Sequence, residues 1–221
     1  ARTLAKFNSP YVVHVRDYFR EHGTAYLVMD YVEGKTLAKE MEECGGKIPP
    51  ERLLSLIEPM ILQIDRLHRK NIIHRDIAPD NLVIIWDEQM EKEHLVLLDF
   101  GAARAFVSSQ VSQKYTATVK SGYAPLEQYS QKSRQGPYTD VYALCATVYN
   151  ALTGVTPPSA LERSADAADV EPLESYGVQV PEHVSQALMH GLEQNSEKRI
   201  QTMRQLHQEL YEPSDPPAPE A

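Results

Sequence analysis

Apolar and polar positions change their period several times along the chain, and each change marks an element. Across residues 50–69, Leu53, Leu54, Ile57, Ile61, Ile64 and Leu67 recur at helical spacing, which predicts one long helix with an apolar face. Pro59 lies inside that run and is expected to kink it. Residues 141–152 are apolar nearly all round, the pattern of a fully buried helix. Thr139 or Asp140 is expected to cap its start and Gly154 to suit its end, while Pro157 and Pro158 prevent continuation. Shorter helices are predicted over 36–43, 184–192 and 202–211, and a helix end over 1–7. The β-rich runs 12–19 and 25–29, with His22 and Gly23 between them, predict a hairpin. Runs 82–85 and 95–98 predict a second pair of strands joined by a polar turn over 86–94. Residues 102–136 are rich in Ser, Thr and Gln and carry no core-forming period, and a loop this long inside a compact domain is usually functional or mobile. Residues 212–221 hold four prolines in ten and read as a linker.

Composition narrows the class. A chain of 221 residues with 42% hydrophobic and 24% charged residues is ordinary for a soluble globular protein and long enough for one sizeable core. The net charge of −9, without any Lys/Arg run, argues against nucleic acid and against a polybasic membrane contact. Cys44 and Cys145 make neither a disulfide framework nor a zinc site, so a reducing, cytoplasmic compartment is expected. No apolar run approaches the roughly 18 residues of a membrane span, and no signal peptide is visible. The chain opens on Ala1, not Met, inside a predicted helix, and is therefore expected to be a fragment of a longer parent.

Three motifs then occur in order: His74-Arg75-Asp76-Ile77-Ala78-Pro79-Asp80-Asn81, Asp99-Phe100-Gly101 directly after an apolar run, and Ala124-Pro125-Leu126-Glu127 ahead of the buried helix. Each alone is weak. The ordered set is specific, because every piece sits in the context it needs: a loop before a hairpin, the end of a strand, a loop before a helix. On these residues the chain resembles the protein kinase family over about residues 1–211. Residues 122–129 (GYAPLEQY) and 136–144 (GPYTDVYAL) look like a bacterial serine/threonine subgroup. The resemblance implies an α+β, protein-kinase-like two-lobed fold, with an incomplete small lobe and a mainly helical large lobe. Residues 1–29 are then a small-lobe remnant, 30–37 the hinge, 38–211 the large lobe and 212–221 the linker.

The resemblance also implies the chemistry: transfer of the ATP γ-phosphate to Ser/Thr hydroxyls of proteins, with magnesium. Asp76 corresponds to the carboxylate that meets the incoming hydroxyl, and Asn81 and Asp99 to the magnesium ligands. Met29 corresponds to the gatekeeper, the backbone of Asp30 and Val32 to the groups that meet the adenine edge, and Val83 to the adenine floor. Leu4, Val15, His74 and Phe100 match the apolar column linking the lobes, with Asp140 tying down the catalytic loop and Arg199 pairing with Glu127. Protein substrates and ATP are the implied partners. The same resemblance leaves room for dimerisation of the parent and for its tethering to a membrane by a segment beyond the linker.

The pattern departs from the family in two places. Residues 1–221 hold no glycine-rich loop and no strand lysine, so the fragment by itself is expected to show negligible phosphate transfer. Ala78 stands where serine/threonine kinases usually carry a lysine, and Lys120 is expected to reach Asp76 in its place. Ser108, Ser109, Ser112, Tyr115, Thr116, Thr118 and Ser121 are candidate phosphate acceptors, with Arg75 as a site for such a phosphate. The competing readings are a non-catalytic pseudokinase or scaffold, a small-molecule phosphotransferase and a tyrosine kinase. Asp76, Asn81 and Asp99 together argue against the first, and the Asp-Phe-Gly plus Ala-Pro-Leu-Glu arrangement against the second. The third usually carries an arginine where this chain has Ala78 or Asp80.

Overall fold

A computed structural model describes residues 7–22, 24–89, 91–99, 119–130 and 132–212. It opens on an antiparallel pair, β1 (Val15–Glu21) and β2 (Thr24–Met29), with Glu21 opposite Thr24 across the turn the sequence predicts. β1 begins later than the apolar run 12–19 because residues 11–13 leave the hairpin for another strand. Val13 N–H donates to Leu97 O at 2.9 Å, and Leu97 N–H donates to Tyr11 O at 2.9 Å. That exchange fastens the hairpin to the rest of the molecule. Phe7, Val12, Val13, Val15 and Leu67 form a small buried cluster at the junction, and Met29, Val32, Ile72 and Leu98 pack against it.

A short strand, β3 (Lys35–Thr36), leads into α1 (Leu37–Glu43), whose first turn is capped by Thr36 Oγ1 accepting from Lys39 N–H at 3.2 Å. Helix α2 (Pro50–His68) runs through Pro59 and buries Leu53, Leu56, Ile57, Met60, Ile61, Ile64 and Leu67. Leu56 and Met60 share the apolar face with the residues read from the sequence, whereas Leu54 lies at its margin and is only partly buried. Each such side chain contributes ~1.5–3 kcal/mol when fully removed from water, which is why this helix organises the core.

After a 3-10 turn (Pro79–Asn81), β4 (Leu82–Asp87) and β5 (Lys92–Leu97) pair antiparallel, and β3 pairs with β4 to complete a three-stranded sheet. Both strands run further than expected, into residues read as a turn, because the ladder continues through Trp86 opposite Glu93 and Asp87 opposite Lys92. Backbone pairing needs no apolar side chains, and Trp86 at this end is exposed. Gly34 crosses β4 so closely that a Cβ there would lie 2.5 Å from Ile84 O and 2.6 Å from Val83 Cγ1.

Helix α3 (Pro137–Thr153) is buried along almost its whole length. It starts four residues before the predicted 141, with Gly136 as the cap. Thr139 is not the cap: it sits one turn in, and its Oγ1 accepts from Gly136 N–H at 3.2 Å. Asp140 likewise lies inside the first turn and serves the loop beside it. Gly154 closes the helix at φ 75°, as read from the sequence. Helix α4 (Ala160–Ser164) was not anticipated, although Ser159 and Glu162 form a reciprocal capping box that marks it. Helices α5 (Glu182–Gly191) and α6 (Met203–Tyr211) follow and pack with α2 and α3 around one main core.

A charge network locks α1, α2 and β5 together. The buried Glu40 meets Lys35 at 2.9 Å and Arg52 at 2.6 Å, and Arg52 grips both oxygens of Glu93 at 2.9 and 3.0 Å. Lys35, then Arg52, hold the Glu40 carboxyl down at about 2. Among the described residues, no helix is long and apolar enough to cross a membrane. Of the expected helix end over 1–7 only Phe7 is described, and it is not helical; the linker beyond residue 212 lies outside the described residues.

Candidate active site

The loop between α2 and β4 carries the first motif, and α3 fixes it. Asp140 is fully buried and accepts three hydrogen bonds: from His74 N–H at 2.8 Å and His68 Nε2 at 2.7 Å on one oxygen, and from Arg75 N–H at 2.7 Å on the other. Burial alone would raise its pKa. The hydrogen bond and charge of His68, together with the Arg75 N–H, outweigh it, so the carboxyl is held below its ordinary value. The expectation that Asp140 ties down this loop is met, and His68 is a partner the sequence did not signal.

His74 joins this loop to the end of β5. Its Nδ1 accepts from Asp76 N–H at 3.3 Å, and its Nε2 lies 2.7 Å from Leu98 O. A carbonyl only accepts, so Nε2 carries the proton and Nδ1 is bare: the ring is the neutral Nε2–H tautomer. Burial lowers its pKa, against the charges of Asp140, Asp76 and Asp99. All three carboxylates are thus near enough to bear on one imidazole.

Asn81 completes the knot. Its Nδ2 donates to Asp76 O at 2.6 Å, and its own carbonyl accepts from Leu98 N–H at 2.8 Å. With Nδ2 committed, Oδ1 is the atom left to meet a cation. Asp99 follows Leu98 in a left-handed turn at φ 48°, exposed to solvent. Asp76, Asn81 and Asp99, from one loop, one 3-10 turn and one strand end, are therefore linked through His74 and Leu98 into a single constellation.

Two groups from the segment before α3 approach the same loop. Lys120 Nζ lies 3.7 Å from Asp76 Oδ1 and 3.7 Å from Asp80 Oδ2. Ala78 is completely buried, so no charge is presented from that position. Gln128, in the 3-10 turn Leu126–Gln128, donates through Nε2 to Arg75 O at 2.8 Å. That turn is anchored by Glu127, which accepts from Arg199 at 2.8 and 3.3 Å and from Thr139 Oγ1 at 3.0 Å. The remaining Arg199 donors reach Tyr138 O, Glu193 O and Gln194 O, at 3.1, 2.7 and 3.1 Å, so all five N–H groups of this buried guanidinium have acceptors. The pairing expected of Arg199 with Glu127 is present.

On the hairpin side, Met29 and Val32 are partly buried against the junction cluster. Asp30 N–H is committed to His14 O at 3.0 Å, which leaves its carbonyl as the backbone group to meet a ligand, and its carboxylate pairs with Arg16. Val83 is buried on β4 directly beneath Gly34. Val15 and His74 of the expected apolar column are buried. Leu4, Phe100 and the acceptors between 102 and 118 lie outside the described residues. A surface cavity of about 690 Å³, lined among others by Arg52, Pro59, Leu62, Trp86 and Glu93, contains none of the candidate residues.

Residues 1–211 match the model of the protein kinase domain. The chain belongs to the protein kinase family. This kinase chain is 27% identical over 215 residues to a probable serine/threonine-protein kinase of Clostridium perfringens (strain 13 / Type A), covering 93% of itself and 30% of that relative. It is 31% identical over 157 residues to serine/threonine-protein kinase PknL of Mycobacterium tuberculosis, covering 71% of itself and 38% of PknL. The chain thus spans about a third of the length of these curated relatives. Among solved structures, the kinase fold is shared with PpkA-294 in its apo form, at a TM-score of 0.76 and 31% identity, over 95% of this chain and 71% of that one. A cysteine-to-alanine mutant of the Mycobacterium tuberculosis PknI kinase domain, at 20% identity and a TM-score of 0.71 over 96% of this chain and 74% of that one, shares the fold.

Proposed function

We propose that the full-length protein carrying this chain is an ATP-dependent serine/threonine protein kinase. The observation that supports this reading is the linkage of Asp76, Asn81 and Asp99 around one neutral, buried histidine. In this reading the Asp76 carboxylate accepts the proton of a substrate hydroxyl as its oxygen bonds to the γ-phosphorus and the bond to the bridging oxygen breaks, releasing ADP. Asn81 Oδ1 and the Asp99 carboxylate are hard oxygen donors that fit a magnesium ion completing its shell with phosphate and water. Magnesium, when bound, supplies charge neutralisation at the phosphates. The Asp30 carbonyl and the Val32 backbone receive the adenine edge, Met29 stands as gatekeeper and Val83 underlies the ring.

Lys120 takes the part of the lysine that Ala78 does not supply, its ammonium lying 3.7 Å from Asp76. On the same reading residues 1–29 belong to the small lobe, 30–37 to the hinge, 38–211 to the large lobe and 212–221 to a linker. Arg75 Nε, buried and without a hydrogen-bond partner among the described residues, supports Arg75 as the receiver of a phosphate on the segment before residue 121.

Transfer of labelled γ-phosphate to protein by the full-length protein with magnesium tests the proposal. Asp76→Asn is expected to lower kcat by about 10²–10⁴-fold, and Lys120→Met by about 10–100-fold. Unchanged turnover in Lys120→Met removes the lysine from the mechanism. A parent without transfer, or an Asp76→Asn variant that transfers equally well, overturns the function.

A further inference from the structure

Asp76 is aimed by the peptide bond that precedes it, and that peptide is held at both ends. Its nitrogen, Asp76 N–H, donates to His74 Nδ1 at 3.3 Å, and its oxygen, Arg75 O, accepts from Gln128 Nε2 at 2.8 Å. Arg75 itself stands at φ 70°, a conformation that a side chain of this kind adopts only where its surroundings impose it. Asp140 fixes the N–H of Arg75 at 2.7 Å, and Gln128 fixes its carbonyl. Two of these three holds, from His74 and Asp140, come from the body of the fold. The third comes from the segment between the second motif and α3. Because Arg75 O is an acceptor only, the amide of Gln128 has one usable orientation there, Nε2 inward.

We propose that Gln128 is a positioning residue for Asp76, reporting through the Arg75–Asp76 peptide whether the segment 119–130 is seated. The inference rests on the kinase reading above. Seating is anchored one residue earlier, where Glu127 is clamped by Arg199 and Thr139. When the 3-10 turn Leu126–Gln128 is docked on that anchor, Gln128 reaches Arg75 O and the turn before Asp76 is closed. When the turn lifts, the strained residue loses one of its holds and the direction of the Asp76 carboxylate is released. Lys120, eight positions earlier in the same segment, approaches Asp76 from its side-chain end, so one segment holds both the backbone and the carboxylate of this residue.

The test uses the full-length protein with Gln128→Met, which keeps the shape and removes the donor, and Gln128→Glu, which sets a carboxylate against the carbonyl. Both variants are expected to lower kcat by about 10–100-fold, the range for a small misplacement of a reacting group, with KM for ATP within about twofold of the parent. The amide of Asp76 is expected to exchange its hydrogen faster than in the parent, while the amides of α3 are unchanged. The carboxyl of Gln128→Glu regains a donor when protonated, so its kcat relative to the parent is expected to rise as pH falls. Parent-like kcat, or a change confined to KM, overturns the proposal. So does parent-like exchange at Asp76, which is read without any activity; if the parent itself transfers no phosphate, the kinase reading fails and exchange alone decides the role of Gln128. If Gln128→Met does not fold, Gln128→Glu carries the same decisions. Loss of folding in both overturns a positioning role in favour of a structural one.

Discussion

At the scale of single residues, the most demanding group is Arg199. A guanidinium at 2% exposure is tolerated because all five of its N–H groups meet acceptors and one partner is a carboxylate. Arg199→Ala leaves Glu127 buried with only Thr139 as donor, so a loss of ~3–5 kcal/mol is expected, measured as the shift of the urea midpoint. Against the ~5–15 kcal/mol of a typical domain that is a large fraction, and a shift worth under about 1 kcal/mol would mean the pair is structurally idle. The partners of Asp76 show the other side of this scale. Its motif identifies it in the sequence, but Gln128, which holds the peptide before it, carries no local signal. It lies 53 residues beyond Arg75 in the chain and is brought there only by how the 119–130 segment packs.

At the scale of elements, the approach of α5 to α3 is set by Gly191. A Cβ at that position would lie 2.2 Å from Cys145 Sγ and 3.1 Å from its Cβ, so a larger residue requires Cys145 or one of the helices to shift. Gly191→Ala is expected to cost about 1–3 kcal/mol through overpacking. Adding Cys145→Ala removes the sulfur and should restore part of that stability; thermal melting of the two single variants and the double variant measures the coupling. Strictly additive losses would show that the contact is not what spaces the helices. Helix α3 begins at Pro137, ahead of the apolar stretch. Hydrophobic pattern locates the buried stretch 141–152, but the first turn carries Thr139 and Asp140, polar residues whose partners lie on other elements. Strands β4 and β5 extend past their apolar runs for a related reason: their outer ends are paired by backbone, which the side-chain pattern does not register.

At the scale of the whole molecule, stability depends on pH through groups in different places. His74 is held neutral with its pKa below the ordinary 6.5, so the folded state binds fewer protons than the unfolded one and stability falls as pH drops below about that value. Glu40, held at about 2 against an ordinary 4.5, contributes stability that is complete above 4.5 and is lost as pH falls towards 2. Asp140, also held below its ordinary 3.8, adds to the second loss. Thermal midpoints are therefore expected to be level above about pH 6.5, to decline below it and to fall more steeply between about pH 4.5 and 2. Glu40→Gln should flatten part of the lower step and leave the upper one; an unaltered lower step would remove Glu40 from this account.

The sequence by itself determined the long helix α2, the buried helix α3, the two hairpins and the three ordered motifs, because periodicity and turn residues act over a few positions and are written locally. It also singled out Asp76, Asn81 and Asp99 as the candidates for the chemistry proposed above, since they stand in a fixed order. Only the tertiary structure decided that these groups are linked through His74 and Leu98, that Lys120 lies beside Asp76 and that Gln128 holds the peptide before it. Those facts depend on contacts between elements far apart in the chain, as in the bond from Gln128 to Arg75 O across 53 residues. Such contacts follow from burial and hydrogen-bond satisfaction across the whole core, which no local pattern encodes.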